Sequence, residues 1–158
     1  MAGPTYGEQL RRIVALYQNA GLAWPASAKE IAAWAIREKH WAPHPDSLVN
    51  QCATQLADAM REEYIVDPQG RSVRAKHAAR ITRDGQQSVL WADIRTAGRR
   101  HMEVAFQQRR QQIVGDCRQL KTDVDSYNDN ATPAKPIQMV FDFTQDLAEL
   151  EALDSLVA

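Results

Sequence analysis

Apolar residues recur along this chain with a helical period, then a strand period, then a helical one again. Over residues 5–20, Leu10, Ile13, Val14 and Tyr17 fall on one helical face, and Gly21 suits a stop. Trp24-Pro25 connects to a second helix. Ser27 with Glu30 three residues on is the capping-box pattern that starts it, and Ile31, Trp34, Ala35 and Ile36 form its stripe. It stops before Pro43-His44-Pro45. Pro45 suits the first position of a third helix running to about Glu63. There Leu48, Cys52, Leu56, Ala59 and Met60 are expected inward, with Asn50, Gln51, Thr54 and Gln55 away from that stripe.

After Glu63 the period falls to two. Tyr64–Val66 reads as a short strand, and Asp67-Pro68-Gln69-Gly70 as a turn, with Pro68 setting φ and Gly70 taking the left-handed position. Ser72 to about Thr82 reads as one alternating strand. Val73, Ala75, Ala79 and Ile81 share one face; Arg74, Lys76 and Arg80 share the other. Arg83-Asp84-Gly85-Gln86 carries the Asp-Gly hairpin signal, and Ser88–Arg95 returns as a strand. A two-residue loop pairs Arg83 with Gln86, which sets Ala79 opposite Leu90, Ala78 opposite Trp91 and Lys76 opposite Asp93. The apolar face is expected to close over the helices. The outer face then shows Lys76 beside Asp93, and Trp91 near Arg80.

From about Gly98 the helical period resumes. Phe106, Arg110, Ile113, Cys117, Leu120, Val124 and Tyr127 are spaced 4-3-4-3-4-3, a heptad seam suited to self-association and interrupted at Arg110. Asn128–Pro136 reads as a linker and Ile137–Phe143 as a possible strand. Thr144 then caps an acidic helix carrying Leu147, Leu150, Leu153 and Leu156. The fold class expected is mainly α (α+β). A three-helix domain with a β-hairpin wing spans 1–97, a long helix 98–130, and an acidic strand-helix arm 131–158.

Charge alters this picture more than composition does. The net charge of −1 conceals a strong segregation. Residues 61–121 hold thirteen Lys/Arg against seven Asp/Glu, whereas 122–158 hold one against eight. A basic middle and an acidic tail suggest two different partners, or one part masking the other. The longest uncharged apolar run is the six residues Ile31–Ile36, far short of the roughly 20 a membrane span needs. The N-terminal residues lack the apolar core of a secretory signal. Cys52 and Cys117 have no metal-type spacing and read as reduced, core-facing thiols, which points to a cytoplasmic protein.

Three helices followed by a hairpin is the element order of the winged helix-turn-helix superfamily, and residues 5–95 resemble it. Ala28-Lys29-Glu30-Ile31-Ala32 leading to Ile36, the proline-bracketed third helix, and Asp67-Pro68-Gln69-Gly70-Arg71 opening the sheet are similar to the HARE-HTH kind. The resemblance implies DNA binding or regulatory docking by a transcription-associated protein, with the third helix in the major groove and the hairpin as wing. Asn50, Gln51 and Gln55 would read adenine edges. That helix departs from the pattern in carrying Asp46 and Asp58 against Arg61 alone, because phosphate neutralisation dominates affinity. The hairpin is the stronger site. Arg71, Arg74, Lys76, Arg80 and Arg83 lie within thirteen residues, with Trp91 placed to stack on a base. A solvated strand face explains the same residues without a ligand.

Catalytic motifs are missing from the sequence. The seven glycines form no G-x-x-x-x-G-K-[ST], and there is no G-x-S-x-G. His40 and His44 have helical ligand spacing, but Pro43 spoils the helix that would aim them together with Cys52. Asp123 and Asp125 point apart on a helix. His77 falls on the apolar side of its strand, and His101 sits at a helix start. The expectation is a non-catalytic protein without a cofactor, a DNA partner and a homodimer. The competing expectation is an adaptor that assembles through 100–127 and the 137–157 arm. Within that arm, Gln138–Phe143 looks like the short glutamine-plus-hydrophobic peptides that bind the bacterial sliding clamp, with Phe141 in place of the usual leucine. A buried edge strand with Ile137, Met139, Phe141 and Phe143 inward accounts for the same alternation.

Overall fold

The computed structural model describes residues 3–44 and 47–157. Among these lie five helices and two small antiparallel hairpins, so the chain is mixed α+β. The helices are α1 (Tyr6–Asn19), α2 (Ala28–Arg37), α3 (Leu48–Arg61), α4 (Arg99–Ala131) and α5 (Thr144–Val157). The strands are β1 (Tyr64–Val66), β2 (Ser72–Arg74), β3 (Lys76–Arg83) and β4 (Gln86–Asp93). Two compact units divide the chain, Met1–Asp58 and Ala59–Ala158, so both hairpins fall in the same unit as α4 and not with α1 and α2. Among the described residues no helix is long and apolar enough to cross a membrane.

In the first unit α1 packs on α2. Each starts with a complete capping box, Thr5 with Glu8 and the expected Ser27 with Glu30. In each box the hydroxyl accepts a backbone N–H three residues on, and the glutamate accepts the cap's own N–H, satisfying donors no helical carbonyl reaches. Tyr17 is buried, stacks edge-on against Trp34 at 5.4 Å, and donates its hydroxyl to the Ala23 carbonyl.

The expected inward stripe of α3 is corrected. Cys52 is exposed, Leu48 and Leu56 are 64% and 57% exposed, Ala59 is exposed, and only Met60 of that set is half-buried. An amphipathic pattern predicts burial only where another element lies opposite, and no residue of α3 is buried. The core-facing reading of Cys52 falls with it. Pro45 and Asp46, expected in the first turn of this helix, lie outside the described residues.

In the second unit the expected single strand over 72–82 is two strands. Ala75 is fully buried and is the point of change. Its N–H donates to the Glu63 carbonyl, extending the β1–β2 pairing, while its carbonyl accepts the Ile94 N–H, extending β3–β4. The β3–β4 register is the expected one: Arg83 pairs with Gln86, Ala79 with Leu90, Ala78 with Trp91, Lys76 with Asp93. Asp84 and Gly85 both have positive φ, 49° and 77°, as the tightest twisted hairpin turn requires. The face carrying Ala75, His77 and Ala79 closes against α4, where Ala105 is buried. Small residues on both sides allow this close approach. His101 Nε2 donates to the His77 carbonyl, and the ring of Phe106 meets that of His77 edge-on at 5.3 Å.

Helix α4 runs four residues into the expected linker and ends at Ala131, where Thr132 turns left-handed. The Asn128 side-chain amide exchanges two hydrogen bonds with the backbone of Ile137, so 137–141 doubles back beside Lys121, Val124 and Asp125. This segment is not a strand: among the described residues no strand pairs with it. Ile137, Met139 and Phe143 are exposed and Phe141 is half-buried, which corrects the inward reading of all four. Thr144 is the first residue of α5, not its cap; its N–H and hydroxyl both donate to Asp142.

Candidate nucleic-acid interface

The second unit holds a cleft of about 630 Å³ between the β3–β4 hairpin and α4. Strand alternation puts Arg74, Lys76, Ala78 and Arg80 on its wall, and the register brings Val89 and Trp91 alongside. Helix α4 supplies Ala105, Gln108, Arg109, Gln111 and Gln112 from across the cleft, and the end of α3 supplies Arg61. Five cationic side chains line it and no carboxylate does, among the described residues.

The five cations are not equivalent. Lys76 Nζ lies 3.2 Å from Glu63 and 3.1 Å from Asp93, so its charge is largely compensated. Hydrogen bonds to Asp93 and Glu63 hold the Lys76 ammonium above its ordinary range. Asp93 is held far below the usual carboxylate range, first by the Arg95 guanidinium and backbone N–H and then by Lys76. Arg61 stands over the Trp91 ring, its guanidinium carbon 5.5 Å from the centroid, a cation–π arrangement. Arg74 donates from Nε to the Tyr64 hydroxyl at 3.4 Å, which orients it without neutralising it. Arg80 is fixed through its backbone: its N–H donates to Gln108 Oε1 at 2.7 Å and its carbonyl accepts from Gln108 Nε2 at 2.8 Å. Arg80 is an exposed residue.

The structure therefore brings together Arg74, Lys76, Arg80 and Trp91 of the expected set. Arg71 is elsewhere, paired with Asp67 at 2.7 Å in the β1–β2 turn, and Arg83 sits at the tip of the β3–β4 hairpin. Asn50, Gln51 and Gln55 belong to the other unit, where Gln51 donates to Ser47 and the Asn50 carbonyl accepts from Thr54. Arg109 escaped the sequence reading, and Arg61 entered it only as the lone cation of the third helix. The faint signal for Arg109 is that Ala105, Gln108 and Gln112 follow one another on one face of α4, a small-and-amide stripe.

Chemically the cleft can hold an anion and a planar ring. Among the described residues no hydroxyl, thiol or carboxylate lines it, and the Nε2 of the lining imidazole, His77, already donates to the Arg74 carbonyl. Among the described residues no three His, Cys, Asp or Glu side chains gather as a metal-binding group. The chain matches no family model, no curated protein and no solved structure.

Proposed function

We propose that this protein binds nucleic acid, without catalysis, through the Arg-lined cleft between its β3–β4 hairpin and α4. One observation carries the reading: Arg61, Arg74, Arg80 and Arg109 converge around Trp91 with no carboxylate among the lining residues. Guanidinium groups recognise phosphate in two-point fashion, and an indole ring stacks on any base. The winged-helix resemblance of residues 5–95 points the same way, toward a cytoplasmic, transcription-associated regulator whose hairpin acts as the wing. The base-reading role of Asn50, Gln51 and Gln55 is a separate element of the proposal and needs the third helix in a major groove.

The test is fluorescence anisotropy with labelled single-stranded and duplex DNA over a range of salt concentrations. Each phosphate contact contributes about 0.9 to the logarithmic salt slope on duplex and about 0.7 on a single strand. Arg74→Ala, Arg80→Ala and Arg109→Ala combined should flatten that slope by roughly 2–3 units. Lys76→Ala should change it little, since Glu63 and Asp93 already occupy that charge. An unchanged slope in the triple variant, or no binding by the unaltered chain at low salt, removes the proposal.

A second reading has its own observation. In α5, Leu147, Leu150 and Leu153 are each more than half exposed, and Leu156 is 82% exposed, amid Asp146, Glu149, Glu151 and Asp154. An exposed leucine-rich acidic helix suits a protein partner with a basic, apolar surface. On that reading the protein is an adaptor and the arm is its docking element.

A further inference from the structure

Helix α4 is 33 residues long, about 50 Å, and only its first third lies against the hairpin. His101, Ala105 and Gln108 make that face. At 100° per residue the heptad seam lies roughly 125° round the helix from it. On the seam's other flank, 137–141 lies beside Lys121, Val124 and Asp125. Phe106 keeps one edge on His77 and Val124 lies beside 137–141, but the seam is otherwise open: Phe106, Ile113, Leu120 and Tyr127 are each 45–52% exposed, and Cys117 and Val124 are half-buried.

We infer that a second copy of this chain fills the seam, running antiparallel, with the two-fold axis level with Gly115. The seam's own register carries the argument. Phe106, Ile113, Leu120 and Tyr127 form one set of positions; Arg110, Cys117 and Val124 form the other. A parallel pair sets like positions together and drives Arg110 onto its own copy inside a dry seam, where an unpaired charge is costly. The antiparallel pair interleaves the sets. Phe106 meets Val124 of the partner subunit, Ile113 meets Cys117 of the partner subunit, and Arg110 lays its aliphatic stem on Leu120 of the partner subunit with its head at the edge. Each of these pairs is centred on position 115.

Charge selects the same orientation. Residues 99–121 carry six Lys/Arg and two Asp/Glu; residues 122–131 carry three Asp and no Lys or Arg. The arm beyond, 132–157, adds one Lys against five Asp/Glu. Centred on 115, antiparallel pairing sets 99–108, with two Arg and one Glu, against the three Asp of 122–131 in the other helix, while 109–121 faces its own copy in either orientation. Parallel pairing stacks like on like. The like charges that remain in the antiparallel register, among them Asp116 near its own copy and Arg109 level with Lys121 of the partner subunit, lie off the seam, where salt screens them.

Area allows it too. The accessible surface is 13461 Å². Two compact units of these lengths, sharing no contact at all, would expose roughly 9,500 Å². The excess of about 4,000 Å² is shared among the seam, α3 and α5, and exceeds the about 1,200–2,000 Å² that a specific interface buries. A contact in which each surface meets its own copy closes at two subunits and leaves no edge for further growth.

The experiment uses the full chain. With Cys52→Ser, Cys117 is the remaining thiol. Sedimentation equilibrium should give twice the monomer mass; a monomer throughout the micromolar range overturns the inference. Orientation is read by oxidising a mixture of two chains distinguished by a mass tag. One is Cys52→Ser; the other is Cys52→Ser with Ile113→Cys and Cys117→Ser. In the antiparallel register the two Cys117 Cα atoms are about 9 Å apart, beyond the roughly 7 Å a disulfide bridges. Cross-linked product should then be the mixed species, position 113 of one chain to Cys117 of the other. In a parallel dimer each chain links to its own kind. Self-linked product predominating, or a dimer that yields no mixed product, overturns the antiparallel register. Ile113 is 52% exposed, so the substitutions do not threaten the subunit's fold.

Discussion

The cleft exists only while α4 stays docked on β3, and one glutamine carries much of that docking. With Arg83 and Gln86 as the bonded pair next to the turn, bonded and non-bonded pairs alternate outward, and Arg80–Val89 is a non-bonded pair. The backbone N–H and carbonyl of Arg80 therefore face away from β4, and Gln108 takes both, at 2.7 and 2.8 Å. Gln108→Ala removes the two bonds together. Each is worth about 0.5–1.5 kcal/mol net, so their sum is about 1–3 kcal/mol. The lower half of that range is expected, because water reaches this strand edge and Ala is the better helix former by a few tenths. The assay is urea denaturation combined with amide hydrogen exchange. Stability should fall by about 1–2 kcal/mol, with the Arg80 amide exchanging far faster than its bonded neighbours Ala79 and Ile81. Gln108→Glu separates the two bonds: its carboxylate still accepts from the Arg80 N–H but offers no donor to the carbonyl. Arg80 should then stay protected while roughly half or more of the loss seen in Gln108→Ala persists. A protected Arg80 amide and unchanged stability in Gln108→Ala would refute the docking argument.

Two further outcomes follow from the charges and the arm. Asp93 is held below its unfolded value of about 3.9, so the stability it contributes is present above that pH and disappears as the carboxylate is protonated on acidification. Thermal melting of the unaltered chain and of Asp93→Asn should differ at pH 7 and converge toward pH 2; a gap independent of pH would contradict the assigned ion-pair network with Arg95 and Lys76. Truncation after Phe143 should leave the melting temperature unchanged, because α5 has no buried residue, and should tighten DNA binding at low salt by removing four acidic side chains. A lower melting temperature or aggregation would mean that the leucines of α5 are packed in solution.

The sequence by itself determined what local sterics and local hydrogen bonding control. Asp84-Gly85 specifies a turn with two positive φ angles, and that turn alone pins all eight cross-strand pairs from Arg83–Gln86 to Lys76–Asp93. Ser27 with Glu30 started α2 because both partners lie within one turn. Half of the cleft was legible for the same reason, since alternation on a strand of known register places Arg74, Lys76, Arg80 and Trp91 together. Tertiary structure decided the rest. Ala75 looked like any inward residue of one long strand, yet its burial and its two backbone bonds split that strand in two. The stripe of α3 was read correctly as a pattern and wrongly as a contact, because a periodicity names a face without naming what covers it. Arg109 and Gln108 belong to a face of α4 that reads as solvent-exposed; they became wall and anchor only when the edge of β3 presented unbonded backbone groups to them. A polar side chain meeting a strand edge from 28 residues away leaves no periodic trace, and so neither the closed cleft nor its fourth arginine could be read before the chain was folded.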